Sequence, residues 1–212
     1  MHIPDGLLPL PVALAGIGVA CSAAWLSLHK IKQRKDPRED IPKAALLTAA
    51  FFTASLIHIP VPPASAHLML NGLLGALLGW FAFPAILLGL LFQAVMFGHG
   101  GFLTLGINAV IIGCPAIAGY QIFHLRRRGS PGPKKSTLFA FLAGFVTVLL
   151  SIFLFAAIVV GNISPHMNAE AEKTALVALM LSHTPLAVIE GAVTALAVSF
   201  LQRVKPDLIE GI

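Results

Sequence analysis

Charge is scarce in this chain. Only 11% of its 212 residues are Asp, Glu, Lys or Arg, against 57% hydrophobic, and its mean hydropathy is +0.88. That is more apolar surface than a globule of this size can bury, which excludes a water-soluble domain and leaves an integral membrane protein. Cysteine is scarce too. Cys21 and Cys114 both sit inside apolar runs, where the residue packs as a small hydrophobe, so no thiolate metal site is expected. No Gly-x-x-x-x-Gly-Lys-Ser/Thr phosphate loop occurs, and no His-Glu-x-x-His pair of helical ligands. ATP hydrolysis by this chain and an intramembrane metal-dependent hydrolase, for instance one with Glu190 as base, are thereby disfavoured. No basic segment precedes the first apolar run, which opens with Pro4, Asp5 and Gly6, so no signal peptide is expected and Met1 is expected to be retained.

What is present is a series of apolar segments without the alternation of barrel strands, most of them long enough to cross a hydrocarbon core of about 30 Å. The sequence predicts one membrane domain over residues 1–212: an all-α bundle of seven transmembrane helices at Leu7–Leu28, Ala44–Ile59, His67–Phe81, Pro84–Phe97, Phe102–Phe123, Leu138–Val160 and Thr184–Leu201. Gly and Pro clusters at 60–63, 82–84, 98–101 and 129–133 separate them. The third and fourth are short, which is tolerated where protein surrounds the broken backbone. Thirteen of the fourteen basic residues fall into the stretches 29–43 and 124–137 or after the last span, Lys173 being the exception. Basic loops mark the cytoplasmic side, so the N-terminus is placed outside and the C-terminus inside a plasma membrane. The net charge of +5 then faces lipid headgroups or a cytoplasmic partner; nucleic acid need not be invoked.

The front of the chain, Met-His-Ile-Pro-Asp-Gly, carries the chemistry. The α-amine of Met1, the amide nitrogen of His2 and the His2 Nδ1 are joined by short covalent paths, so all three can reach one ion through fused small rings. With the amide deprotonated, such a set favours a square-planar metal, nickel or copper, with cobalt possible. The bland alternative is a frayed tail. A fourth ligand has to come from elsewhere in the chain.

On the predicted topology His2, His58, His67, His99, His166 and His183 collect at or near the outer side, with His29 and His124 inside. For His58, His166 and His183 capping or solvation is preferred. His67 opens the predicted third span with Asn71 one turn on along the same face, a polar pair that points inward because ionisable groups facing lipid are costly. His67 is therefore taken as the fourth nitrogen. Glu190 is the only carboxylate well inside a span; it can balance the charge of the ion, fix a ligand imidazole, or simply join two helices by a hydrogen bond. Gln93 and Asn108 read more naturally as hydrogen-bonding groups than as ligands, and Asp5 as a group that orients the chain or balances the amine. Small residues (Gly72, Gly75, Gly79, Gly89, Gly106 and Gly113) allow close helix packing.

Four separated motifs in order, the N-terminal Met-His-Ile-Pro-Asp-Gly, His67-Leu-Met-Leu-Asn-Gly, Phe97-Gly-His-Gly-Gly-Phe-Leu-Thr-Leu-Gly-Ile-Asn108 and His183-Thr-Pro-Leu-Ala-Val-Ile-Glu-Gly, resemble the CbiM/NikM family over nearly the whole chain. These are substrate-binding (S) components of energy-coupling-factor transporters for cobalt and nickel. The resemblance implies that the N-terminal stretch inserts into the bundle and places Met1, His2 and His67 around the ion, with Asp5, Asn71, Gln93, His99, Asn108 and Glu190 lining or supporting the site. It implies partners as well: a transmembrane coupling protein, a pair of cytoplasmic ABC ATPases and, in many systems, a small accessory membrane subunit. Leu7 departs from the aromatic residue often found there, which bears on packing. A channel acting alone would need a continuous polar path, which the inner halves of the spans do not offer. The metal is nickel(II) or cobalt(II) as transported substrate, with no organic cofactor; a planar site leans to nickel, and cobalt is the alternative.

Overall fold

In the computed structural model, residues 2–61, 64–128, 132–162 and 169–210 are described. The long apolar elements are α1 (Leu10–Lys32), α2 (Ile41–Ala54), α3 (Asn71–Leu78), α4 (Ala82–Phe97), α5 (Leu105–His124), α6 (Pro133–Val160) and α7 (Ala169–Val204), with a short α8 (Asp207–Glu210) behind them. Among the described residues, five stretches are long and apolar enough to cross a membrane by length and composition: Leu10–Lys32, Asn71–Phe97, Leu105–Arg127, Pro133–Val160 and Thr174–Val204. α5 sits among α1, α3, α4 and α6, and α6 packs along α7.

Three expected boundaries need correction. The predicted second span, Ala44–Ile59, stops at Ala54, and an antiparallel hairpin follows, β1 (His58–Val61) with β2 (Ala64–His67), His58 opposite His67. Pro60, Pro62 and Pro63 explain this: proline lacks the N–H that a helix interior needs. His67 accordingly ends a strand and does not open a helix, which starts at Asn71. The shared helical face assumed for His67 and Asn71 is not formed. Third, the basic stretches 29–43 and 124–137 are largely structured, since α1 runs on to Lys32, a 3₁₀ turn covers Pro37–Asp40 and α6 begins at Pro133. Asp40 ties this first stretch together by pairing with Arg34 and with Lys43, the latter at 3.0 Å.

The stretch Asn71–Phe97 is a helical hairpin. α3 lies parallel to α5, with Gly75 against the backbone of Ala116 and Gly79 against Tyr120. At Gly79 the backbone turns at φ +59°, a conformation open to glycine at little cost, and α4 returns. Both ends of the stretch consequently meet at one place: the His67 and His99 ring centroids are 5.8 Å apart. α3 is short, with all eight of its residues buried. At Gly72 a Cβ would strike the Gly144 backbone of α6, so this crossing demands a residue with no side chain.

Candidate metal centre

The N-terminal segment is riveted into the bundle from its third residue. Ile3 is fully buried. Its N–H donates to Asn108 Oδ1 at 2.8 Å and its carbonyl accepts from Asn108 Nδ2 at 3.0 Å, the two-way pairing a peptide group would offer a strand neighbour. The Thr104 hydroxyl stands 2.7 Å from the same carbonyl and 3.1 Å from Asp5 Oδ1. Asp5 also accepts from the Thr104 and Phe102 amides, each at 3.0 Å. Slight desolvation works against the Asp5 carboxylate, but the Thr104 amide and hydroxyl, with the Leu103 and Phe102 amides, bring it below its ordinary value. The loop carrying these donors closes over the segment: a Cβ at Gly101 would collide with the Asp5 carboxylate, and one at Gly100, where φ is +83°, would lie 3.1 Å from Asn108 Nδ2.

These anchors present His2 to two other imidazoles. His2, His67 and His99 each offer a ring nitrogen within 4.8 Å of the others, close enough for one ion, whose ligands at about 2 Å stand about 3–4 Å apart. The His2 ring lies 5.2 Å from that of His67, tilted by 30°, and 4.4 Å from that of His99, edge-on at 80°. His99 Nε2 and His2 Nδ1 are 3.0 Å apart. His67 Nδ1 is 3.3 Å from the Leu68 carbonyl, and a hydrogen bond there assigns Nε2 to coordination. Burial, with the His67 and His99 imidazoles alongside, holds His2 well below its ordinary value, so near neutrality the ring is uncharged and has a lone pair to offer.

Glu190 and Asn71 are placed elsewhere. The Glu190 carboxylate, fully buried on α7, accepts from the Met69 amide and from the Leu70 amide at 3.0 and 3.1 Å. Leu70 has φ +47° and its side chain offers no cap to α3. Glu190 therefore ties the turn just ahead of α3 to a neighbouring helix, holding in place the segment that carries His67. Asn71 faces away, donating to Ser151 Oγ at 3.0 Å and to the Ile112 carbonyl at 3.3 Å, on the turn of α5 that leads to Pro115. Gln93, fully buried on α4, donates to Ser55 Oγ at 2.6 Å. The His183 Nδ1 is 2.9 Å from the Leu179 carbonyl one turn back on its own helix. Met1 and His166 lie outside the described residues, and His58 is described by its backbone alone.

Thr104 and Ser55 were missed by sequence reasoning. Thr104 falls inside the glycine-rich motif before α5, where a hydroxyl can donate to acceptors outside a helix; Ser55 gave no such signal.

Residues 2–208 match the CbiM family, described as the cobalt uptake substrate-specific transmembrane region. A putative metal transport protein of Haemophilus influenzae is 31% identical over 99% of this chain and 97% of its own length. The cobalt transport protein CbiM of Sorangium cellulosum is 29% identical, covering 99% and 95%, and the fused nickel transport protein NikMN of Rhodobacter capsulatus 34%, covering 99% of this chain and 64% of that longer protein. A crystal structure of a truncated transition metal transporter superposes with a TM-score of 0.82 at 25% identity, covering 96% of this chain and 99% of that one.

Proposed function

Because this chain belongs to the CbiM family of multi-pass membrane proteins of cobalt and nickel transport, we propose that it is the metal-capturing S component of an energy-coupling-factor importer. It takes nickel(II), or cobalt(II), from the outer side of a prokaryotic plasma membrane. The observation that carries this reading is the convergence of His2, His67 and His99 beneath an N-terminal segment locked in by Asn108 and Asp5. In this reading the ion is held by the Met1 amine, the deprotonated His2 amide, His2 Nδ1 and His67, four nitrogens that suit a planar ion. Asp5, Gln93, Asn108 and Glu190 act by keeping those ligands in place, in the manner of outer groups around metal sites generally.

On this reading seven apolar helices, of which α3 and α4 enter and return as a pair, leave the N-terminus outside, and the basic residues of 29–43 and 124–137 lie inside. A protein of this kind stores and releases its ion but supplies no energy. That role goes to two ABC ATPases and a transmembrane coupling protein, with an accessory membrane subunit where one is needed.

Cobalt is the second reading, and His99 favours it: a third imidazole beside the plane would make the site five-coordinate, which cobalt accepts more readily than low-spin nickel. Equilibrium metal binding and the absorption spectrum of purified protein test both. A yellow-to-orange diamagnetic nickel complex, lost in His67→Ala, is expected; failure to retain either metal contradicts the proposal, and a five-coordinate cobalt spectrum lost in His99→Ala selects cobalt.

A further inference from the structure

Two buried polar atoms have their hydrogen-bonding capacity unspent, His2 Nε2 and Gln93 Oε1. The Gln93 side chain lies beside the His2 ring. What decides the direction of that contact lies behind it, at the end of α2. There the Leu56 N–H turns to the Thr53 carbonyl at 3.1 Å, and the Ser55 hydroxyl donates its one proton to the Phe52 carbonyl at 2.7 Å. A hydroxyl has a single donor, so at its 2.6 Å contact with Gln93 Ser55 is the acceptor. The Gln93 –NH₂ must therefore face Ser55, which turns the amide oxygen toward His2.

We propose that Gln93, oriented by Ser55, is a positioning residue that holds His2 in the tautomer protonated at Nε2, so that the Nδ1 lone pair is the one presented to the ion. Neutral imidazole carries one proton, and an acceptor at Nε2 draws it there. The opposite tautomer would set two acceptors against each other in a buried place and would block the only ring nitrogen that can close a chelate with the His2 amide. The same tautomer fixes the neighbour. With Nδ1 an acceptor, His99 must donate its Nε2–H across the 3.0 Å contact. That hydrogen occupies the coordination position at Nδ1, so an arriving ion displaces it, and the His99 imidazole turns aside, or takes the tautomer protonated at Nδ1 and binds through Nε2. Specificity for an N-terminal chelate is thereby extended from the chain end to α2 and α4.

This inference rests on the capture reading for its consequence but not for its test. In metal-free full-length protein with its authentic N-terminus, labelled with ¹⁵N in the histidine rings, the His2 signals are those lost in His2→Gln. Nitrogen shifts should report Nε2 protonated and Nδ1 unprotonated in the wild type. Gln93→Met, which keeps the volume but offers no carbonyl, should abolish that preference and weaken nickel binding by about 10–100-fold, the usual effect of removing a group that orients a ligand imidazole. Gln93→Glu, which keeps an acceptor, should restore both the tautomer and an affinity within about threefold. Should Gln93→Met fail to fold, Ser55→Ala asks the same question, since the amide then loses its fixed orientation and the tautomer should become mixed. A wild-type His2 protonated at Nδ1, or a Gln93→Met protein with unchanged tautomer and nickel affinity, overturns the proposal. A wild type with the stated tautomer but no nickel binding would instead count against metal capture.

Discussion

At the scale of single residues, the candidate site is shaped by groups other than its three imidazoles. Asn108 satisfies both backbone groups of Ile3; replacing it with Ala strands a buried amide, which costs about 1–3 kcal/mol. Asn108→Ala should accordingly speed nickel release and expose the N-terminal segment to hydrogen exchange while α6 and α7 stay protected. His2 gives the pH dependence. Its pKa is depressed in the inserted state from an ordinary 6.5, so a released segment takes up a proton as pH falls through 6.5 and the inserted one does not. Insertion is fully favourable above that pH and weakens below it. Asp5 is depressed from 3.8, so its contribution is complete above that value and is lost only in stronger acid. Nickel affinity measured from pH 7.5 to 5.5 should fall in wild type and in Asp5→Asn with the same profile; a flat profile would contradict the placement of His2. Of these residues, His2, His67 and Asn108 were legible because each belongs to a dense motif. His99 was legible only as a lining residue, since nothing in a Gly-His-Gly-Gly run says how closely the loop folds down.

At the scale of elements, the informative one is the short helix α3. It starts inside the bundle after a hairpin that prolines force on the chain, and the two amides just ahead of it, those of Met69 and Leu70, are bound by Glu190 from α7. Glu190 could be singled out from the sequence as the one carboxylate within a span, but the readings open to it could not be separated there, because the tie joins positions some 120 residues apart. Glu190→Ala leaves two buried N–H groups without an acceptor beside the left-handed Leu70, a loss of about 2–4 kcal/mol if each group costs about 1–2. A lower melting temperature with weaker nickel binding is expected, and partial recovery in Glu190→Gln, which retains one acceptor. If Glu190→Ala bound nickel as wild type does, the segment 67–70 would not need its tie to α7. The sequence also missed the hairpin itself, since a run of prolines announces a break but not the strand pairing that a tertiary setting provides.

At the scale of the whole molecule, apolarity and the basic stretches were enough to announce a multi-pass membrane protein, and motif order was enough to place it among metal transporters. How its ends meet at the site was not, because the return of the chain at Gly79 depends on α3 lying against α5, a contact between distant segments. The assembly makes its own prediction: cells expressing this chain without the ATPases should bind nickel but accumulate none beyond stoichiometry, and accumulation by the chain alone would point to an autonomous permease. The central claim is that the chain's own first amine completes the site, and it is tested most directly by adding one residue ahead of Met1. Nickel titration of the extended protein against the native form, followed by absorption, should show the planar nickel band and tight binding lost with fold and stability retained; an unchanged band and affinity would contradict an N-terminal chelate.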